Sequence, residues 1–202
     1  MNLCVTISEI NWSLTKDVIS IIGTLGALII GGLGLFTWSR QLKGTSEYEL
    51  AKKAILGTYG VQQALQSVRN PMLYLSKEEV EAGRRLEEEQ RIYEERLNHL
   101  YKKWAELQTI RLETKVIWSN EAHDIFNGLQ ERIGEIRGAI WLHFWLKGAY
   151  AGPGANVDNN RQRVIENDKI VYFSSENDDF SRQIAESVNS IENFFSPKVR
   201  RK

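Results

Sequence analysis

The sequence predicts an all-α protein: one N-terminal transmembrane helix followed by a cytoplasmic helical bundle with long, coiled-coil-like helices. Three observations predict it. Val18 to Trp38 is an uncharged apolar run of twenty-one residues, which as a helix spans ~31 Å, the thickness of a bilayer's hydrocarbon core. Beyond it, apolar residues recur mainly at spacings of three and four, the period of a helix face. The only strand-like run, Lys169–Phe173 (KIVYF), has no evident partner strand, and one strand alone is not stable. The expected organisation is therefore a short extracytoplasmic lead at 1–17, the span at 18–38 and a cytoplasmic helical domain at 39–202, with an irregular segment at 152–176.

The span comes first. A helix satisfies its own backbone groups in lipid, where no water can. Trp12 lies before it and Trp38 ends it, both suited to the headgroup-level aromatic belt. Arg40 and Lys43 follow at once, against Lys16 alone on the other side. Cations near a span end are retained in the cytoplasm, so the N-terminus is expected outside and the rest inside. Cys4 is the single cysteine and cannot form an internal disulfide. The run is too long for a signal-peptide core and lacks a small-residue cleavage site, so it is expected to stay as an anchor. Within it Gly23, Ala27 and Gly31 recur every fourth residue. They form one row of small side chains along which a second helix can pack closely, so a homo-oligomeric contact is expected there.

A second helix is expected from Ser46, with Ser46 and Glu49 as a capping box, or as a continuation of the span. Tyr48, Ala51, Ile55, Leu65 and Val68 mark its stripe, and Asn70-Pro71 ends it. Ser76 with Glu79 suggests another capping box for a helix reaching Trp118. There Tyr93, Leu97, Leu100, Trp104 and Leu107 make a heptad seam, which could face the domain or another subunit. Its charges, paired as Glu81 with Arg85 and Glu87 with Arg91, read as a solvated face.

Asn120 is the expected N-cap of a helix from Glu121 to Tyr150, with Gly134 and Gly138 placed for a close crossing. Its aromatic end, Ile140–Leu146, is expected in the core, the alternative being a face docked on the membrane surface. Gly152-Pro153-Gly154 should stop it, and residues 155–167 read as loop. Asn177–Asp179 should cap a last helix ending at Phe195, before Pro197. Four cations in the final five residues, Lys198 to Lys202, then form a basic tail.

Lys plus Arg and Asp plus Glu balance at 26 each, so no global signal for nucleic acid exists. His99, His123 and His143 share no ligand spacing, so no metal is expected. No phosphate-binding glycine loop occurs, and no cofactor is expected.

Three stretches carry a resemblance. Gln41-Leu42-Lys43-Gly44, Glu47-Tyr48-Glu49-Leu50-Ala51 and Val68-Arg69-Asn70-Pro71 resemble a pattern in short bacterial single-span membrane proteins of unassigned function. That resemblance implies a bacterial membrane protein with a helical cytoplasmic part. Arg137 and His143, five residues between them, resemble the Arg-x(4–6)-His spacing of the HEPN ribonuclease superfamily. There the pair handles a phosphate and a proton in metal-independent RNA cleavage. Six positions along a helix place the two side chains about 120° apart, so they would meet only across a dimer or through distortion. The architecture is also similar to HEPN-like membrane accessory proteins of RNA-targeting CRISPR systems, for which a ring-shaped membrane assembly in antiphage defence is implied.

The leading expectation is a non-enzymatic, self-associating membrane component, a pore or signalling platform, with the lipid bilayer and copies of itself as partners. A membrane-tethered ribonuclease using Arg137 and His143, the one reading that involves nucleic acid, and a tether for a cytosolic protein partner are the alternatives.

Overall fold

The computed structural model describes residues 12–150 and 160–200. It is all-α, with no strand among the described residues. Seven helices follow in order: α1 (Trp12–Arg69), α2 (Lys77–Glu81), α3 (Arg85–Ile117), α4 (Asn120–Asp124), α5 (Asn127–Leu146), α6 (Arg161–Val171) and α7 (Asp179–Val199). The chain divides into two compact units, Met1–Ser46 and Glu47–Lys202, and α1 contributes to both.

In the first unit α1 is long and apolar enough to cross a membrane. In the second it is amphipathic: Leu50, Ala51, Ala54, Val61, Leu65 and Val68 are buried at helical spacing, as are Thr58 and Arg69. No new helix begins at Ser46: α1 runs on through Gly44, Thr45 and Ser46, whose weak helix propensity costs only ~1 kcal/mol or less per residue. The end falls at Arg69, before Asn70-Pro71, as expected.

The long helix expected from Ser76 is broken. α2 stops after five residues and Gly83 takes φ 81°. Gly83 N–H donates to the Val80 carbonyl (3.1 Å) and Arg84 N–H to that of Glu79 (2.9 Å). This is a Schellman end, which needs a left-handed residue that only glycine adopts freely. The expected Ser76–Glu79 box does not form: Glu79 binds Arg84 at 2.6 Å, and the Ser76 hydroxyl donates to Glu78. The seam on α3 faces the chain's own core, with Tyr93, Leu100 and Leu107 buried and Leu97 and Trp104 packed against them. The charges pair with a different register from that expected, Arg91 binding Glu88 and Glu95.

Helix α4 is capped by Ser119, not Asn120, the Ser119 hydroxyl accepting from Ala122 N–H at 3.3 Å. α5 starts separately at Asn127, and Arg111 of α3 ties this corner by donating to the His123 carbonyl, Gln130 and Asn127. α5 ends at Leu146, where Gly148 (φ 80°) makes a second Schellman end. Gly152-Pro153-Gly154, the expected stop, lies outside the described residues. Of the aromatic run, Ile140, His143 and Phe144 are buried, whereas Trp141 is exposed and stacks on Trp145 and Tyr150.

The segment read as loop and strand contains α6. Asn160 caps it by accepting from the N–H groups of Gln162 and Arg163. Its inner face is half polar: Val171 is buried beside Asn167, whose amide donates to the Ala139 carbonyl at 3.0 Å. α7 is capped by Asp178 and buries Ile184, Val188, Ile191 and Phe195. It continues through Pro197 to Val199. In a last turn the missing N–H costs one hydrogen bond, and too little helix follows for a kink to matter.

Helices α1 and α3 approach closely at Gly57, where an added Cβ would lie 3.0 Å from Leu107 Cδ1 and 3.5 Å from Ile110 Cδ1. Gly134 and Gly138, expected at a crossing, have nothing within 4 Å of that position. Gly57→Val is therefore expected to overpack the core and destabilise the bundle by roughly 1–3 kcal/mol. Gly134→Ala should be neutral or stabilising, since alanine favours the helix. Thermal unfolding of the two variants checks both.

Candidate functional site

The first unit carries the apolar half of α1. From Lys16 to Ser46 no described residue is buried. Ile22, Leu28, Ile30, Leu33 and Phe36 are all exposed, Ile30 to 72 %. Gly23 and Gly31 have nothing within 4 Å of a would-be Cβ, and Ala27 is exposed on the same row. Trp38, Arg40 and Lys43 are exposed at its C-terminal side. Trp12 opens α1, and its side chain lies outside the described residues.

The second unit holds a buried polar cluster that joins α3, α5 and α6. His143 of α5 is 5 % exposed. Its Nε2 lies 3.3 Å from Glu89 Oε1 and 3.4 Å from the Tyr172 hydroxyl, and its Nδ1 lies 3.7 Å from Asp168 Oδ1. Lys147, one turn on, donates to the same Glu89 oxygen at 2.5 Å. The hydrogen bond from His143, aided by Lys147 and opposed by burial, holds the Glu89 carboxyl down at about 2. Burial, with Glu89 and Asp168 nearby, raises the Tyr172 hydroxyl. Burial, with Tyr172 and Glu89 nearby, pushes the Tyr93 hydroxyl up as well. A neutral imidazole has one N–H and can donate to one of its two carboxylates; an imidazolium donates to both.

Beside this cluster an open cleft of about 850 Å³ lies between α5, α6 and the start of α7. Asp168 and Tyr172 form part of its wall, with Arg132, Glu135, Lys169 and Phe180. Its charges are mixed, and Arg132 is engaged by Glu131, Glu135 and Gln183. Among the described residues no group of three or more His, Cys, Asp or Glu side chains is placed to hold a metal ion.

A second polar knot lies at the end of α1. Arg69 is 1 % exposed. Its guanidinium donates to the carbonyls of Lys169, Ile170 and Tyr172, to Ser181 Oγ and to Asp178, at 2.7–3.1 Å. It also lies over the Phe180 ring, 5.0 Å from the centroid. Burial works against the Asp178 charge, but the Ser181 N–H and the guanidinium outweigh it and keep its carboxyl below the usual range.

Arg137 and His143 are not brought together. Arg137 is exposed and lines a pocket of about 180 Å³ with Leu97, Ile140 and Trp141, while His143 is buried among Glu89, Asp168 and Tyr172. No hydrogen bond or ion pair joins them among the described residues. The 120° offset on α5 separates them. Neither Glu89 nor Arg69 was marked by spacing; the only signal was a charge at an otherwise apolar helix position.

No family model, curated protein or solved structure matches this chain.

Proposed function

We propose that the chain is a single-pass membrane protein that self-associates and works non-enzymatically, as a pore or signalling platform in bacterial antiphage defence. One observation carries the anchoring: the apolar half of α1, with no buried residue between Lys16 and Ser46. Apolar surface on this scale is covered by lipid or by partners. The charge bias of Arg40 and Lys43 against Lys16 supports a cytoplasmic bundle at the inner membrane. The open row of Gly23, Ala27 and Gly31 supports contact between copies. The architectural similarity noted above supports the defence role. The separation of Arg137 from His143 favours this reading over RNA cleavage.

The test is the triple substitution Gly23→Leu, Ala27→Leu, Gly31→Leu in the full chain. Each leucine overfills a close helix contact at roughly 1–3 kcal/mol while keeping the span apolar. Light scattering in detergent should show an oligomer for the parent chain and a smaller species for the variant. Protection of cells against phage should fall in parallel. A parent chain that is monomeric, or a variant of unchanged size, sinks self-association through this row.

A further inference from the structure

The bundle has one end that is both tethered and basic. Gly57 of α1 faces Leu107 and Ile110 of α3, and Gly60 faces Lys103. Tyr59 donates to Glu192 of α7, and Arg69 binds Asp178 at the start of α7. Both α3 and α7 therefore run antiparallel to α1. Counting back at ~1.5 Å per residue, Ile117, Val199 and the entry of the chain at Glu47 lie within roughly 8 Å of one another along the bundle axis.

At this end Val116 is 86 % exposed and Leu112 58 %, with Ile117 beside them. Trp118 is next, and Lys198 lies over its ring at 5.5 Å. The cations of α3 and α7 here are Lys115, Lys198 and Arg200, and Arg201 and Lys202 follow in sequence. Glu113, Glu121 and Asp124 oppose them. The first turns of α1 in this unit carry two charges of each sign, Glu47 and Glu49 against Lys52 and Lys53. With Arg201 and Lys202 counted from the sequence, the balance is positive.

Exposure alone does not select this face. Tyr74, at the opposite end, is 85 % exposed, but Glu78, Glu79 and Glu81 follow it closely. Eight residues separate Trp38 from Glu47. On the membrane-anchor reading, these residues reach at most ~28 Å even when extended, which limits how far the entry of the chain at Glu47 can be from the bilayer.

We propose that this end, built from Val116, Ile117 and Trp118 with Lys115, Lys198 and Arg200, docks on the surface of an anionic lipid bilayer. The inference rests on the membrane-anchor reading. Apolar side chains enter the headgroup boundary while cations meet lipid phosphates, as for interfacial helices. Each cation near an anionic surface multiplies the docked-to-free ratio by about fivefold.

The test uses the full chain with Cys4→Ser, carrying Val116→Cys or, as a control, Tyr74→Cys, each labelled with a nitroxide. The protein is placed in vesicles of phosphatidylcholine, or of phosphatidylcholine with phosphatidylglycerol. Position 116 should lose access to an aqueous paramagnetic relaxant in the anionic vesicles only, while position 74 stays aqueous in both. Adding Lys115→Gln and Arg200→Gln should restore access, since two cations fewer lower the docked ratio about 25-fold. Equal aqueous access at 116 in both lipids overturns the proposal. So does protection in both lipids, and dependence on the protein-to-lipid ratio would then assign the face to a second copy. If alkaline washing strips the chain from the vesicles, the anchor reading itself falls, and this face with it. Retention after washing with an aqueous 116 removes the docking face alone.

Discussion

Replacing Arg69 by alanine is expected to lower the stability of the bundle by roughly 3–5 kcal/mol, the cost of breaking a buried ion pair from one side. The substitution strips the carbonyls of Lys169, Ile170 and Tyr172 of a shared donor and leaves Asp178 without its guanidinium. It also removes the cation from the Phe180 face. Arg69→Lys should recover little, because one ammonium cannot reproduce a planar fork that serves five acceptors. Denaturant unfolding in mild detergent measures the loss. Hydrogen exchange should localise it to 169–181. Exchange left unchanged there, with a shift under ~1 kcal/mol, would show that the knot is incidental.

Acid should act through the buried cluster around His143 and Glu89. The folded-state pKa of Glu89, about 2, lies below its ordinary value of 4.5. Its stabilisation is thus fully present above 4.5 and is lost as the pH falls from there toward 2. Asp178, also lowered, contributes with the same sign. Glu89→Gln removes the carboxylate shared by His143 and Lys147. It is expected to cost on the order of 2–3 kcal/mol at neutral pH and to flatten the acid limb of the stability profile. Urea titrations at several pH values compare the slopes. Parallel profiles for parent and variant would refute the assignment.

The all-α class was legible because apolar residues keep helical spacing over most of the chain, even where the expected caps at Ser46 and Asn120 were not the ones used and the Ser76 side chain makes no cap hydrogen bond. Asn70-Pro71 and Asp178 acted where their chemistry said they should. The misreadings have local physical causes. Gly83 and Gly148 were visible helix-ending signals, outweighed by the strong periodicity on either side of Gly83 and by the more conspicuous Gly152-Pro153-Gly154. α6 was hidden because its inner face carries Asn167, satisfied by a backbone carbonyl on α5 that no linear pattern displays. The same holds for His143 and Glu89, which lie 54 residues apart in sequence. In the bundle, small residues four apart pointed to Gly134 and Gly138, while Gly57 of α1, with no small residue four positions away, makes the close approach to α3.

The Arg69 knot also sets a timetable. Its partners lie 100–112 residues downstream. At a synthesis rate of ~5–20 residues per second, they are made some ~5–20 s after Arg69. Throughout that interval the guanidinium remains solvated, and the second half of α1 cannot close onto α7. The apolar half of α1, made before the helices that follow it, meets its surroundings before the bundle exists to compete for it. Emergence of the apolar half of α1 and closure of the bundle are thereby separated in time by the order of the chain.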